Sequence, residues 1–508
     1  MITLINHQGL KLVDGIQIQS PAPPMGLAYI GGYLKKNGYD YTAIDACGEA
    51  LDQIYNYERS EHIKIQGLTL PQIVERLPEN TKIVGFTCSF SHCWPLVEEI
   101  AAMVRKKLPG VVIAAGGEHP SAMPEHVFRK GIFDVVIVGE GEETFLELVK
   151  KIGNNQSWHE IEGITYKTGH NKLVFTQVRQ RIKDLNSLPY PDWDNWCINK
   201  YIEYEQVSGI NLGKSMPILG SRGCPYACTF CSNEHMWTRR YIMRDGKAIV
   251  DEMEHMKKKY NVSSFSFFDS TFIINYRKML EFCEHLILRN LNITYQLPAG
   301  TRCEVFDDEL AFKLEKSGLK NFSFAPESGS DIIRKAVNKQ IKLDTFFKAV
   351  RAVKKTKMTV GCFIVIGFPE DTEDTIKQTL SFVRKLALIG VDDITVSKFT
   401  PYPGSVYFKT LYEKGVISRQ LDELQNIISF FNKNGISYSD SLSPLQTYRW
   451  MNWLYVNFYL IGFIVRPWKV VVNFWNYYSK GVETTRYMRF FSEFFVKRKK
   501  WKKTKFQE

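Results

Sequence analysis

The sequence predicts an α/β chain with two parallel-sheet domains and a helical, aromatic-rich C-terminal segment. In residues 1–150, apolar runs of strand length alternate with helix-like segments, which predicts a flavodoxin-like (Rossmann-like) parallel sheet. In residues 211–410, a strand-then-helix unit repeats six times, which predicts a partial (β/α)6 barrel. Residues 151–210 are predicted to form a connector with a hairpin, and 17 aromatic residues at positions 448–495 characterise the segment 411–508.

The composition limits the class of protein. A chain of 508 residues can bury several cores, and ten cysteines without a secretory leader after Met1 predict a reducing, cytoplasmic location and no disulfide scaffold. The net charge of +12 includes seven basic residues at positions 497–505, so the remaining chain carries only +5. The positive charge is therefore largely a local tail, and no nucleic-acid partner is predicted.

Glycine-rich turns follow the predicted strands of the first domain. The segments 116–120 and 139–142 come directly after the fourth and fifth apolar runs, and Ser89 follows the third. Ligands of parallel sheets lie beyond the carboxyl ends of the strands, and glycine lets a ligand approach the backbone there. No G-x-G-x-x-G follows the first strand, so NAD is not the predicted ligand.

Three cysteines lie in one short loop near the start of the second domain. Cys224, Cys228 and Cys231 stand at C-x3-C-x2-C spacing after an apolar run at 216–219. Such a loop can bring three thiolates to three corners of an iron-sulfur cluster, and without a fourth cysteine nearby a 4Fe-4S cluster keeps one iron open for a ligand. The alternatives are a Cys3His zinc site that includes His235, or three unrelated core cysteines.

Polar and turn residues end the predicted barrel strands, where the reactive groups of such barrels lie. Asp269 ends the second strand and Glu327 follows the fourth. The turn at 366–370 ends the fifth strand, and Tyr402 follows the sixth. Arg302 is a further candidate for the cavity. A helix-cap role for Glu327 or a plain turn at 366–370 would explain each position alone, but their recurrence at successive strand ends predicts one ligand site.

These motifs together resemble a known family. The sequence G-C-P-Y-x-C-x-F-C at 223–231 is similar to the cluster loop of the radical S-adenosylmethionine (SAM) enzymes. The motifs P-P-M-G-L at 23–27, G-G-E-H-P at 116–120 and V-G-E-G-E-E-T-F at 138–145 resemble the cobalamin-binding domain that precedes many radical SAM cores. The resemblance covers residues 1 to about 410. The chain lacks D-x-H-x-x-G, so the resemblance implies a base-off cobalamin without a histidine ligand, or a domain that has lost its corrinoid.

The resemblance implies three cofactors: a 4Fe-4S cluster, SAM and cobalamin. The implied cluster ligands are Cys224, Cys228 and Cys231. The implied SAM contacts are Phe230, Asp269, Glu327, Ile366, Gly367 and Pro369. The implied cobalamin contacts are Ser89, Gly117, His119, Gly139 and Gly141. F-D-S-T-F around Asp269 departs from the G-G-E motif that usually binds the SAM amino group in the family.

The resemblance also implies a reaction class. In the family, the reduced cluster cleaves SAM to methionine and a deoxyadenosyl radical that takes hydrogen from an unreactive carbon. With methylcobalamin, the implied outcome is C-methylation of a small-molecule or lipid substrate, with an external electron donor of flavodoxin or ferredoxin type. The alternatives are radical oxidation, cyclisation or ring rearrangement, and a zinc-stabilised interaction protein. RNA methylthio transfer would need a second cluster and a terminal β-barrel, and the sequence indicates neither.

The C-terminal segment allows two interpretations. The apolar run at 450–465 ends at Arg466-Pro467 and is shorter than the about 20 residues that span a membrane. The run predicts either a helical cap on the barrel or an interfacial helix with tryptophans at headgroup depth and the basic tail against anionic lipid. The second interpretation predicts peripheral contact with the inner face of the membrane.

Overall fold

The computed structural model describes residues 1–12, 21–169, 172–206, 208–417, 435–480 and 483–491. Its framework consists of a seven-stranded sheet from the first part of the chain and a six-stranded parallel sheet from the second. Helices cover both sheets, and helices also form the C-terminal part. The predicted fold class is therefore confirmed.

The first part of the chain follows the predicted flavodoxin-like order. Its strands are β1 (Ile2–Asn6), β2 (Gly9–Leu12), β3 (Thr42–Asp45), β4 (Ile54–Tyr57), β5 (Ser60–Gln66), β6 (Ile83–Thr87), β7 (Val112–Gly116), β8 (Val135–Ile137), β9 (Ile164–Lys167) and β10 (Leu173–Phe175). Five parallel strands run in the order β3-β1-β6-β7-β8 and coincide with the five predicted apolar runs.

Two features of the first sheet region differ from the simplest expectation. The predicted hairpin β9–β10 is present, but β9 pairs antiparallel with β8 and so extends the first sheet. A small antiparallel sheet, β2-β5-β4, has no counterpart among the predicted strands. Its longest strand reads SEHIKIQ, in which polar residues interrupt the apolar run that would mark a buried strand.

Helices flank these strands and join the two sheets. They are α1 (Met25–Lys36), α2 (Leu70–Glu75), α3 (Trp94–Lys107), α4 (Glu118–Ala122), α5 (Pro124–Val127), α6 (Glu142–Gly153) and α7 (Ile198–Glu203). Helix α1 begins at Met25 directly after Pro23-Pro24, where fixed proline backbones suit a helix start. Helices α4 and α6 begin after the carboxyl ends of β7 and β8, and this edge of the first sheet forms the binding side of the domain.

The second sheet is the predicted partial barrel. Its strands β11 (Ser215–Ile218), β14 (Ser264–Phe267), β15 (Thr294–Thr301), β16 (Leu319–Glu327), β17 (Thr359–Ile366) and β18 (Asp393–Lys398) pair in parallel and in chain order. A separate antiparallel pair is formed by β12 (Ser221–Arg222) and β13 (Ile242–Met243). The helices are α8 (Asn233–Trp237), α9 (Gly246–Tyr260), α10 (Tyr276–Arg289), α11 (Asp308–Ser317), α12 (Asp331–Ala336), α13 (Leu343–Lys354), α14 (Glu373–Ile389) and α15 (Val406–Glu413).

The C-terminal part packs on the last barrel strand. It consists of α16 (Pro444–Val465), α17 (Pro467–Lys480) and α18 (Arg486–Phe491). The hydroxyl of Tyr455 donates to the carbonyl of Val396 and accepts from its N–H, and the hydroxyl of Tyr459 donates to Asp393. One face of α16 is thus fixed along β18.

Candidate active site

The cysteine motif lies in an excursion from the barrel, and we name residues 223–231 the cluster loop. The chain leaves the barrel at Arg222 and returns to it at Ile242, and these two residues are antiparallel partners in the pair β12–β13. Gly223 adopts a φ of 87°, and a Cβ at this position would lie 2.3 Å from the carbonyl oxygen of Arg240. Only glycine fits this close crossing at the base of the loop.

The middle of the cluster loop is fixed to the barrel. The N–H of Thr229 donates to the carbonyl of Val337 (3.2 Å), and its carbonyl accepts from the N–H of Tyr407 (3.1 Å). The side-chain amide of Asn338 donates to the carbonyl of Ala227 (2.8 Å). Residues that follow the fourth and sixth barrel strands therefore position the three cysteines.

The three thiols lie close enough to influence one another. Cys224 and Cys228 are half-buried, whereas Cys231 is exposed. The protein atoms around its thiol, and then negative charge on Cys228 and Cys224, raise the pKa of Cys231. Burial also raises the pKa of Cys224 and Cys228, whereas the positive charges of Lys339 and Arg302 act in the opposite direction. Because a thiol that binds a metal is deprotonated, iron would take the place of these protons.

The donor set suits a cluster better than a single ion. In the described ranges, no three His, Cys, Asp or Glu side chains are arranged to hold one metal ion. A zinc site with His235 requires four donors around one ion, whereas three corners of a cluster are three different irons. The His235 ring lies against Gly404, where a Cβ would be 2.9 Å from its Cδ2. The zinc alternative is therefore not supported.

Glu327, a predicted SAM contact, lies in a buried ion pair at the end of β16. Its Oε1 is 2.5 Å from Nζ of Lys339, and both side chains are less than a tenth exposed. Burial opposes the charge on Lys339, but Glu327 and the thiol of Cys228 together raise its pKa. Glu327 also has a φ of 65°, a conformation that costs a non-glycine residue free energy and that clusters at functional sites.

Arg302, a low-exposure cavity candidate, lies against the cluster loop. Its guanidinium carbon is 3.8 Å from the ring centroid of Tyr226, and the side chain pairs with Glu304. At this distance the cation and the aromatic ring attract each other. Arg302 therefore adds a second positive charge beside the cysteines.

The turn after β17 meets the cluster loop through an aromatic contact. The rings of Phe230 and Phe368 are 5.8 Å apart, so the structure brings Phe230 next to Ile366, Gly367 and Pro369. The N–H groups of Gly367 and Phe368 both donate to Oδ2 of Asp371, at 2.7 and 3.1 Å. A SAM contact through these two N–H groups would therefore compete with Asp371. The carbonyls of Ile366, Phe368 and Pro369 also accept backbone hydrogen bonds, at 2.7, 2.9 and 3.0 Å. The backbone of Phe230 is therefore the better candidate.

The structure does not place Asp269 toward an open SAM site. Its carboxylate accepts the N–H of Gly220 (3.0 Å) and the hydroxyl of Ser221 (2.5 Å), immediately before the cluster loop. The side chain is buried, and burial raises its pKa to about 6. The adjoining cavity, about 10 Å³, has room for no more than about one water molecule. Asp269 therefore supports the strand that leads into the loop.

A cavity of about 220 Å³ lies where the sequence predicts the corrinoid. Four predicted contacts line it: Ser89, Gly117, Gly139 and Gly141. Gly26 at the start of α1 lines it from one side, and Leu219, Arg222, Trp237 and Phe268 line it from the barrel side. The cavity is therefore shared by the two domains. A ligand as large as a corrinoid would also occupy the open mouth of the cavity.

His119 does not belong to the cavity wall. It is buried, with Nδ1 3.0 Å from the hydroxyl of Ser91 and Nε2 3.1 Å from Nδ1 of His126. Its ring centroid lies 5.0 Å from that of Trp94, and burial lowers its pKa well below the usual value. The His119 side chain is therefore used in a core hydrogen-bond network, and the described residues that line the cavity include no histidine.

The cluster loop and the cavity are neighbours. Ser232, next to Cys231, donates its hydroxyl to Oε1 of Glu118 on the cavity wall (2.7 Å). Burial raises the pKa of Tyr402 and negative charge on Cys231 adds to this, so this cavity candidate also lies beside the loop. Glu118 and Lys339 are site residues that the sequence did not predict. Glu118 stands in the G-G-E-H-P motif, but no local signal identifies Lys339.

Two family models match the chain in the order of its two sheets. The B12 binding domain model matches residues 12–149, and the Radical SAM superfamily model matches residues 218–383. The chain therefore carries a B12 binding domain followed by a Radical SAM superfamily domain. The predicted cofactors, a 4Fe-4S cluster, SAM and cobalamin, follow from these matches. The cysteine loop and the glycine-walled cavity fit them, while the individual contacts remain predictions.

Curated relatives include both a cyclase and a methyltransferase. An anaerobic magnesium-protoporphyrin IX monomethyl ester cyclase of Rubrivivax gelatinosus is 28% identical over 406 residues, which is 79% of this chain and 68% of the relative. An uncharacterized methyltransferase of Pyrococcus horikoshii is 27% identical over 394 residues, which is 76% of this chain and 78% of the relative. The reaction type therefore varies among relatives of similar identity.

Two solved structures share the fold over most of this chain. TsrM, a radical SAM methyltransferase from Kitasatospora setae with cobalamin and a 4Fe-4S cluster bound, matches with a TM-score of 0.65 and 14% identity over 91% of this chain and 88% of TsrM. OxsB, a cobalamin-dependent SAM radical enzyme, matches with a TM-score of 0.61 and 18% identity over 90% of this chain and 60% of OxsB. At these identities the likeness concerns the fold alone.

Proposed function

We propose that the chain transfers a methyl group from SAM, through cobalamin, to an unactivated carbon of a substrate. The observation that carries this proposal is the contact between Ser232, which follows the last cluster cysteine, and Glu118 on the wall of the cobalamin cavity. A reaction that uses both cofactors requires their sites to be adjacent. Methyl transfer to carbon meets that requirement and agrees with the methyltransferases among the relatives.

In this proposal, separate sets of residues would hold the 4Fe-4S cluster, SAM and cobalamin. Cys224, Cys228 and Cys231 would bind three irons, and the fourth iron would remain for SAM. Phe230, Glu327 and the turn 366–369 would surround SAM, while Ser89, Gly117, Gly139 and Gly141 would contact the corrin. When bound, these groups supply one-electron cleavage of SAM and a transferable methyl group.

The chain itself would provide a dry and charge-balanced surrounding. The rings of Phe230, Phe368, Phe399 and Tyr407 pack against one another beside the cluster loop. This apolar surface would exclude water from the reacting carbon, which suppresses side reactions. Lys339 would keep the charge of Glu327 compensated. The electron would come from an external flavodoxin- or ferredoxin-type donor.

The second candidate function is radical oxidation, cyclisation or ring rearrangement without methyl transfer. The observation in its favour is the cyclase at 28% identity, which aligns over 79% of this chain. Both candidates use the same cofactor sites. They differ in the fate of the SAM methyl group, and this difference can be measured.

Isotopic labelling distinguishes the two candidates. Reconstituted protein would be incubated anaerobically with a strong reductant, trideuteromethyl-labelled SAM and a small-molecule and lipid extract, and then analysed by mass spectrometry. We expect a new product heavier than its precursor by one trideuteromethyl group in place of one hydrogen. A product without deuterium, accompanied by labelled methionine, would favour the second candidate. The Cys228→Ala protein provides the background.

We further propose that the C-terminal helices attach a cytoplasmic enzyme to the membrane surface. No single described helix is long and apolar enough to cross a bilayer, although α16 and α17, bent by 97°, meet the criteria as a pair. The exposed apolar side chains on these helices include Trp453, Val456, Leu460, Ile464, Trp468, Val471, Trp475 and Tyr478. Residues 444–480 contain four basic and no acidic residues, which suits an anionic lipid surface.

The position of α17 limits what such a membrane contact could do. Lys469 of α17 pairs with Asp392, directly before β18, and the N–H of Arg486 donates to Asp393 at its first position. Helix α17 therefore lies near the amino ends of the barrel strands, whereas the cluster loop lies at their carboxyl ends. Membrane contact through α17 would place the enzyme near a lipophilic substrate without opening the site directly into the bilayer.

Liposome sedimentation tests the membrane proposal. We expect the full-length protein to co-sediment with anionic liposomes at low salt, and binding to fall strongly when Trp468 and Trp475, which are 59% and 69% exposed, are both replaced by glutamate. Leu288→Glu is the matched control, because Leu288 is 81% exposed on the barrel helix α10. Charge reversal at Lys497–Lys503 tests the tail, which lies outside the described residues. Wild-type protein that stays in the supernatant would contradict the proposal.

A further inference from the structure

Four buried charged side chains link the two domains, and we name them the arginine clasp: Arg181, Arg222, Glu140 and Glu142. Nη1 of Arg222 lies 3.0 Å from Oε1 of Glu140, and Nη2 lies 2.5 Å from Oε1 of Glu142. Nε of Arg181 lies 3.3 Å from Oε2 of Glu140. All four side chains are 5–9% exposed. Two positive and two negative charges balance, which offsets the cost of burying them.

The arginine clasp joins the segments that carry the two cofactor sites. Glu140 and Glu142 belong to the glycine-rich turn after β8 and line the cavity. Arg222 also lines the cavity, and only Gly223 separates it from the first cluster cysteine, Cys224. Arg181 comes from the connector between the two sheets. The clasp therefore connects the cobalamin cavity to the start of the cluster loop through direct side-chain contacts.

Trp237 holds the arginine clasp from the other end of the same excursion. The guanidinium carbons of Arg181 and Arg222 each lie 5.5 Å from its ring centroid, within the range of a cation–π contact. Nη1 of Arg181 also donates to the carbonyl of Trp237 (2.5 Å). Because Trp237 ends α8, which follows the cluster loop, the clasp fixes chain on both sides of the three cysteines.

We propose that Arg222 is a positioning residue that sets the separation and orientation of the cluster loop and the cobalamin cavity. Its planar guanidinium directs two nitrogens to two different carboxylates, a geometry that the single ammonium of lysine does not reproduce. This inference rests on the proposed function, because the separation matters only if both cofactors take part in one reaction. Arg222→Lys keeps the charge and removes the two-pronged contact.

Electron paramagnetic resonance tests the inference without a substrate. Wild-type and Arg222→Lys proteins would be reconstituted anaerobically with iron, sulfide and hydroxocobalamin, then reduced until both the cluster and the cobalt are paramagnetic. The interaction between the two spins depends steeply on their distance. We expect it to broaden the cobalt signal of the wild-type protein. In Arg222→Lys we expect full iron and corrinoid content with loss of that broadening.

Two further proteins make the result interpretable. Arg179→Lys is the matched control, because Arg179 is a connector arginine that pairs with Glu147 of α6 and does not line the cavity; it should keep the wild-type spectrum. If Arg222→Lys does not fold, the double variant Arg222→Met with Glu142→Gln takes its place. It removes one positive and one negative charge, so the buried charges stay balanced, and it should also lose the broadening.

Three results would overturn the inference in distinguishable ways. Unchanged broadening in Arg222→Lys or in the double variant would show that the clasp does not set the separation. Loss of iron or corrinoid from a folded variant would make Arg222 a binding residue instead. Wild-type protein that binds both cofactors without any spin interaction would contradict the proposed function, and the positioning role would fail with it.

Discussion

Replacing Cys224, Cys228 or Cys231 by alanine is expected to abolish reductive cleavage of SAM and to remove most of the iron. Three thiolates from one loop hold the cluster in our proposal, and no other cysteine lies between residues 198 and 282 to replace a lost ligand. Iron and sulfide assays after anaerobic reconstitution, together with quantification of 5′-deoxyadenosine, measure both effects. The wild-type protein should bind close to four irons per chain, since the proposed cluster contains four.

Cys197→Ala is the matched control for these variants. Cys197 is half-buried and adopts a φ of 46° before α7, so alanine at this position meets the same backbone strain as cysteine. This variant should retain iron and SAM cleavage. Zinc bound in place of iron in the wild-type protein, or full SAM cleavage in any of the three loop variants, would contradict the cluster assignment.

The fold could be predicted because its signals are local. Apolar runs of strand length marked the five parallel strands of the first sheet and the six of the second, since buried parallel strands expose neither face to water. The glycines after β7 and β8 are also a local signal, and they indicated the binding edge. A ligand can approach the backbone closely only where the residue has no side chain. Strand β5 alternates apolar and polar residues and has no continuous apolar run, so the small sheet β2-β5-β4 was not predicted.

The candidate site was less predictable, because side-chain partners come from distant parts of the chain. Asp269 stands at a strand end, as an SAM contact would, but its carboxylate is used by Gly220 and Ser221. His119 stands in a binding motif, yet its ring hydrogen-bonds to Ser91 and His126 inside the core. Asp269 was predicted from its place at a strand end and His119 from its motif, and only the three-dimensional contacts reveal where the two side chains are used.

Lys339 is the opposite case, a residue of the candidate site that no sequence motif indicated. It lies in an unremarkable stretch of charged and polar residues after α12, and its sequence neighbours give no reason to expect burial. In the structure it is buried against Glu327 and influences the thiols of Cys224 and Cys228. A buried charge of this kind is stable only with its partner, so its role depends on a contact twelve residues away.

The cobalamin cavity can be tested at one glycine that does not carry backbone strain. Gly26 lies in the first turn of α1 and lines the cavity. A Cβ at this position would have only Oγ1 of Thr87 within 4 Å, at 3.9 Å. A Cβ atom therefore fits at position 26, and the outer carbons of a larger side chain would extend into the cavity. Gly117, by contrast, has a φ of 100° and would be strained by any side chain.

Gly26→Leu is expected to reduce corrinoid binding by at least an order of magnitude while iron content stays unchanged, because a buried ligand cannot share its volume with a side chain. The wild-type protein should bind one corrinoid whose absorption spectrum is base-off and lacks histidine ligation, since none of the described residues on the cavity wall is a histidine. Gly153→Leu is the control, because a Cβ at Gly153 meets nothing within 4 Å at the end of α6. Equal corrinoid binding by Gly26→Leu and wild type, measured by absorption after gel filtration, would move the cobalamin site elsewhere.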